Sequence, residues 1–311
     1  MSCDYLVHGL VVSSEVPLPE PIVGASGTTD LVVTVGEPRA THVLDADRVL
    51  VHKRGEQVLY DAAQRGDRWI VRAPGVASFD VGTRDIVAHP DPALDEPRVL
   101  SLLLAGTGLA FFLMIRGEFC LHASAVEVDG GCIAFAGSSG RGKTTLAALA
   151  CASGYPLFGD DLLRARVDDG TAYAYRGSSE IRLRPSVAPL ADAIGGERRL
   201  TIDSRTSVRA ERSTKDVLPI LAIVLPRPDR DITHARARRL YGAEAFTGLA
   251  ECPRLVGWKH SRFLNAELDH LVQLSSVVPI IETIVPWTSE LDPQVADRAI
   301  RESLTATLDY V

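Results

Sequence analysis

With 46% hydrophobic and 23% charged residues, the 311-residue chain reads as a folded soluble protein, long enough for two domains or one large one. A net charge of −7 argues against the basic face that duplex nucleic acid requires, so no nucleic-acid partner is expected. Five scattered cysteines without a CxxC pair argue against a disulfide scaffold or a zinc site. With no basic-then-apolar leader in the first residues, they point to a cytoplasmic protein.

The first 90 residues alternate short apolar runs with Gly, Pro and Asp. Strands are expected at 5–12, 30–35, 48–52, 57–60, 68–71, 77–81 and 85–88, with loops at 17–21 and 89–97. The stretch 99–115 is nearly all apolar. It falls short of the roughly 20 residues a membrane span needs, so a buried helix over 97–115 is expected and no membrane partner. A strand over 118–128, a turn at Asp129-Gly130-Gly131 and a return strand over 132–136 follow. A helix runs from 143 to about 153, capped by Gly154. Strands are expected at 162–167 and 171–175. Polar residues from about 195 to 215 read as a solvated loop or lid, whose arginines could steer an acidic substrate. A buried strand at 220–225, ended by Pro226 and Pro228, comes next. Then follow an amphipathic helix over 262–274, a strand at 280–285 and a last helix capped by Asp292 with Pro293 at its first position. This order predicts an α/β chain with a mixed sheet: a β-rich N-terminal domain over 1–95 and a phosphate-loop domain over 96–311.

The most informative segment is Gly137-Ser138-Ser139-Gly140-Arg141-Gly142-Lys143-Thr144, a complete G-x-x-x-x-G-K-[ST] motif between an apolar strand and a helix. Its glycines permit backbone angles that turn N–H groups inward, toward phosphate at a helix N-terminus. Lys143 can reach the β- and γ-phosphates, and the Thr144 hydroxyl can ligate Mg²⁺. The nucleotide-binding set is therefore Gly137, Ser138, Ser139, Gly140, Arg141, Gly142, Lys143, Thr144 and Thr145, with ATP and Mg²⁺ as cofactors. Downstream, Asp160-Asp161 supplies paired carboxylates, one for a metal and one to take a proton from an attacking hydroxyl. Upstream, His122 lies on a strand leading toward the loop.

Three segments in this order, 122–126 (His-Ala-Ser-Ala-Val), the glycine motif and 154–161 (Gly-Tyr-Pro-Leu-Phe-Gly-Asp-Asp), resemble the HPr kinase/phosphorylase catalytic core. That family is distantly related to ATP-type phosphoenolpyruvate carboxykinases. The resemblance covers roughly 115–185 and implies a serine kinase in which Asp160 is the general base, Asp161 helps Thr144 bind metal and His122 sits near the γ-phosphate beside Lys143. Thr144-Thr145 replaces the family's usual Ser-Glu. Of its glycine-rich signature only Arg176-Gly177, with Arg182 and Arg184, has a counterpart. The chain is more similar to divergent members, among them lasso-peptide kinases. The acceptor would be a hydroxyl of a peptide, protein or small molecule, and the resemblance implies a homo-oligomer. The alternative is an ATPase or GTPase switch that passes phosphate only to water; no [NT]-K-x-D guanine motif is present.

Overall fold

The computed structural model describes residues 2–20, 22, 28–42, 47–201, 204–287 and 292–308. Pro21, part of a loop expected at 17–21, lies outside them. The chain divides into two compact units: Met1–Cys120 with Leu255–Leu268, and Leu121–Arg254 with Asp269–Val311. The expected boundary at residue 95 therefore moves about 25 positions downstream. The cause is the apolar helical stretch after Pro97, whose residues from Leu109 to Leu113 are buried in the first unit.

The first unit carries a mixed eight-stranded sheet. Its strands are β1 (Cys3–Val7), β2 (Leu10–Ser14), β3 (Leu31–Val35), β4 (Arg48–Arg54), β5 (Gln57–Arg65), β6 (Arg68–Ala73), β7 (Ala77–Val81) and β8 (Asp85–Pro90), in spatial order β1-β2-β3-β8-β7-β6-β5-β4. The single strand expected over 5–12 is instead the hairpin β1–β2. His8 (φ 53°) and Gly9 (φ 70°) both turn left-handed, the two-residue geometry that matches strand twist. The apolar stretch forms α1 (Pro97–Leu103) and α2 (Leu109–Ile115), joined by a π turn over Leu104–Gly108. Pro97–Ile115 is, among the described residues, the one helical stretch long and apolar enough to cross a membrane, and 61% of its apolar window is buried inside the protein.

Residues 255–268 return to this unit. Trp258 stacks on Phe263 with ring centroids 4.4 Å apart, and Phe111 and Trp69 complete the aromatic cluster. Gly257 accepts from Val51 N–H at 2.9 Å, and Lys259 N–H donates to Val49 at 2.8 Å, so this segment lines the β4 edge. Gly257 holds φ 96°, and a side chain there would collide with the Val51 carbonyl. Gly257→Ala should therefore destabilise the protein by about 2 kcal/mol or more, read as a lower denaturant midpoint in an unfolding titration.

β9 (Phe119–Leu121), divided between the units after Cys120, and β10 (Ala123–Val128) of the second unit replace the continuous strand expected over 118–128, with a break at His122. There follow β11 (Gly131–Ala136), α3 (Lys143–Ala152), β12 (Leu157–Gly159), β13 (Leu163–Asp168), β14 (Thr171–Tyr175), β15 (Glu180–Leu183), α4 (Leu190–Ile194), β16 (Arg198–Leu200), β17 (Thr206–Arg209), β18 (Val217–Asp229), β19 (Arg236–Leu240), α5 (Gly242–Ala250), α6 (Ser261–Val277), β20 (Ile280–Pro286) and α7 (Gln294–Leu308). α6 is shared between the units at Leu268.

The main sheet runs β12-β10-β11-β18-β20-β19. It is parallel at β11/β18 and β18/β20 and antiparallel elsewhere. The start of β18 also pairs with β14, which pairs with β13. Ile133 and Phe135 of β11 pack against Leu146, Leu149 and the alanines of α3, and Ala299 and Ile300 of α7 join the same core. Alanines on α3 let the helix approach the sheet closely, and the loop before it lies at the C-terminal end of β11, a central strand.

Two further expectations change. β18 does not stop at Pro226; it pairs with β20 through Asp229. Ile223 N–H points toward the β20 side, where it meets the Pro279 carbonyl, so by alternation Pro226 and Pro228 face the side that β11 no longer covers beyond Val224. The polar stretch expected to be a loop over 195–215 contributes β16 and β17 to the three-stranded sheet β15-β17-β16. Arg198 pairs with Asp192, and Arg199 pairs with Glu180 at 2.5 Å, so these two arginines are engaged within the unit. The last helix starts as its sequence predicts, with Asp292 accepting from Gln294 N–H at 2.9 Å.

Candidate active site

Gly137 (φ 140°), Gly140 (φ 94°) and Gly142 (φ 87°) all hold angles that a side chain would strain, so the loop between β11 and α3 turns sharply back on the helix start. α3 begins at Lys143, which leaves its first N–H groups on the loop's inner side. Ser138, Ser139, Gly140 and Arg141 are exposed, while Lys143 and Thr145 are buried. Lys143 Nζ donates to the Ser138 carbonyl at 3.0 Å and is only 5% exposed. Burial pulls its pKa below the usual lysine value, and the negative charges of Asp160 and Asp161 work the other way. Arg184 donates to the Ser139 hydroxyl at 3.1 Å, and Arg141 faces Glu251 at 3.6 Å.

β12 pairs antiparallel with β10, Gly159 opposite Ala125, and delivers Asp160 to the loop. No side chain fits well at Gly159, where a Cβ would press on the Gly177 backbone at 3.3 Å. Asp160 is buried. Its Oδ1 accepts from Ser124 Oγ at 2.6 Å and Thr144 Oγ1 at 3.0 Å, and its Oδ2 accepts from Arg182 N–H at 3.3 Å. Burial raises its pKa and the neighbouring Asp161 charge adds to this, while the hydrogen bonds from Ser124, Arg182 N–H and Thr144 oppose the rise.

Asp161 is the middle of a three-residue turn closed by Leu162 N–H on the Asp160 carbonyl at 2.9 Å, and its φ of 72° is left-handed. The turn separates two carboxylates that are adjacent in sequence. Asp161 Oδ2 accepts from Arg254 at 2.8 Å; His122 Nδ1 lies 3.3 Å from Asp161 Oδ1 and 3.1 Å from its carbonyl oxygen. Burial acts to raise the Asp161 pKa, but the Arg254 guanidinium and then His122 outweigh it and hold the carboxyl well below its usual value. The pair is thus split, one carboxylate pushed up and one pulled down.

The sequence-predicted residues His122, Lys143, Thr144, Thr145, Asp160 and Asp161 line one cavity of about 370 Å³, together with Ser139, Gly140 and Gly142. Gly137 and Arg141 border a second, adjoining cavity instead. Thr144 and Asp161, expected together as metal ligands, are held by different partners: Thr144 binds Asp160, and Asp161 binds Arg254. Burial pushes the thiols of Cys132, Cys151 and Cys252 up to about 12.

Two contributors escape the sequence reading as functional residues. Ser124 is two positions from His122 within the strand expected over 118–128, a spacing that in a continuous strand brings side chains to one face. Arg254 is 93 residues from Asp161, and no local pattern marks it. Arg254→Ala removes the charge that depresses the Asp161 pKa. In that variant Asp161 protonates at higher pH, so on acidification Mg²⁺ affinity should be lost at a higher pH than in the wild type; an unmoved pH profile of Mg²⁺ affinity would show that Asp161 does not hold the metal.

Comparison with protein-family models finds no match, and comparison with curated protein sequences finds none either. Among solved structures, the Hpr(Ser) kinase/phosphatase from Coxiella burnetii aligns with 58% of this chain and 88% of its own, at 10% identity and a TM-score of 0.33. That likeness carries none of the assignments below.

Proposed function

We propose that this chain is a kinase that moves the γ-phosphate of ATP to a serine or similar hydroxyl on a peptide, protein or small molecule. The observation behind the proposal is one cavity lined by a glycine loop at a helix N-terminus, a buried lysine and a split carboxylate pair. The loop N–H groups and Lys143 would hold and neutralise the phosphates. Asp160, whose raised pKa suits proton transfer and which already accepts two hydroxyl hydrogen bonds, would take the proton of the attacking hydroxyl. The acceptor oxygen then bonds to the γ-phosphorus as the bond to the β-phosphate oxygen breaks, and ADP leaves. His122 would keep Asp161 ionised and oriented beside the reacting phosphate.

Among the described residues no cluster of three or more His, Cys, Asp or Glu side chains forms a dedicated metal cage. The Thr144 hydroxyl and an ionised carboxylate are the hard oxygen donors that Mg²⁺ takes alongside phosphate oxygens, so the site fits that ion. Thr144 and Asp161 would hold it, and bound Mg²⁺ would neutralise charge on the phosphates. The Thr144–Asp160 hydrogen bond favours a second assignment, in which Asp160 faces the metal and the more exposed Asp161 takes the proton. A switch that passes phosphate only to water would use the same parts without an acceptor.

The test is to follow γ-labelled ATP with Mg²⁺ in the presence of serine-bearing peptides, an HPr-like protein or buffer alone. Label on a serine hydroxyl is the expected outcome. Label released only as free phosphate, across a broad acceptor panel, would replace the kinase with the switch.

A further inference from the structure

The ionic residues of the candidate cavity serve phosphates and protons, but part of its wall serves neither. Leu183, Val187 and Trp287 line the same space as Lys143 and the carboxylate pair. Trp287 ends the ladder between β18 and β20, with its N–H donating to the Asp229 carbonyl at 2.8 Å. Its indole is half-buried on the core of the second unit. The ring edge lies against the loop's last glycine: a Cβ added at Gly142 would stand 3.0 Å from Trp287 Cη2 and 3.2 Å from Cζ3. Pro228 supports the same spot from β18, 3.4 Å from that position.

A flat aromatic ring anchored by its backbone, part-exposed in a cavity and set beside a phosphate-type loop has one obvious ligand chemistry. Aromatic faces stack on heteroaromatic bases. Building on the phosphoryl-transfer reading above, we propose that Trp287 is the stacking platform for the purine base of the donor nucleotide, with the part-exposed Val187 as an apolar flank. Selection of a nucleotide over a bare polyphosphate then rests on this ring, and the loop itself reads only phosphate.

The experiment compares binding of MgATP and of magnesium tripolyphosphate to the wild type, Trp287→Leu and Trp287→Phe, by calorimetry. In the wild type, ATP should bind more tightly than tripolyphosphate. Trp287→Leu should weaken ATP by about 10–100-fold and leave tripolyphosphate within about twofold, with Trp287→Phe retaining most of the ATP affinity. Equal wild-type affinities for the two ligands would overturn the platform while leaving the phosphate loop standing. A parallel loss of both ligands in Trp287→Leu and Trp287→Phe would also overturn it, since the ring would then only prop the loop. A wild type that binds neither ligand would overturn the platform together with the phosphoryl-transfer reading.

Discussion

Asp160→Asn should lower phosphoryl transfer by about 10²–10⁴-fold while MgATP still binds, because the amide keeps the shape of the carboxylate but cannot take a proton. The surroundings of Asp160 make this a sharp test. Its Oδ1 already receives Ser124 and Thr144 hydroxyl hydrogen bonds, and Arg182 N–H reaches Oδ2, so asparagine can keep part of the network with its amide oxygen. The fold should therefore survive, and a fall in rate will report chemistry. Burial raises the Asp160 pKa, so the wild-type rate should decline on the acid side starting above the pH at which an ordinary aspartate protonates. Asp161→Asn separates the two assignments of the pair. If Asp161 holds the metal, that variant loses Mg²⁺ affinity while Asp160→Asn keeps it; the reverse pattern would exchange their roles.

Lys143→Met should weaken nucleotide binding and reduce transfer together, each by about 10²-fold or more, because in the proposed reaction one buried cation would serve both the bound phosphates and the charge that develops during transfer. The same variant should unfold at the same denaturant concentration as the wild type, or a higher one. Lys143 is 5% exposed, makes one hydrogen bond to the Ser138 carbonyl, and has a pKa lowered by burial, so its charge is held at a cost to folding. Methionine fills much of the same volume without that cost. A variant that loses stability and keeps ATP affinity would mean that Lys143 is a structural residue, and the loop reading would fail with it.

Much of the site could be read from local sequence because its parts are local. The run from Gly137 to Thr144 encodes its own turn through glycines whose φ values are all positive, and the apolar strand and alanine-rich helix on either side place it. Asp160 and Asp161 are visible as a pair, but their different environments are not. The left-handed turn at Asp161 and the partner Arg254, 93 residues away, come from tertiary packing that no short window contains. The same holds for the fold. Strand alternation marks β3 through β8, whereas the His8-Gly9 turn hides inside an apolar run and Pro226 looks like a stop. In β18 that proline is harmless because the chain faces it away from the paired edge. The boundary expected at residue 95 and the division after Cys120 differ because an apolar helix does not say in which core it is buried, and residues 255–268, far along the chain, belong with the first unit.

The most direct measurement is a crystal structure of the wild type with Mg²⁺ and a non-hydrolysable ATP analogue. Phosphate density along the N–H groups of Gly137–Thr145, with the terminal phosphate beside Lys143 and the Asp160–Asp161 pair, is the expected result. A nucleotide bound elsewhere on the chain, or crystals that take up none at saturating concentration, would contradict the assignment of this cavity as a phosphoryl-transfer site.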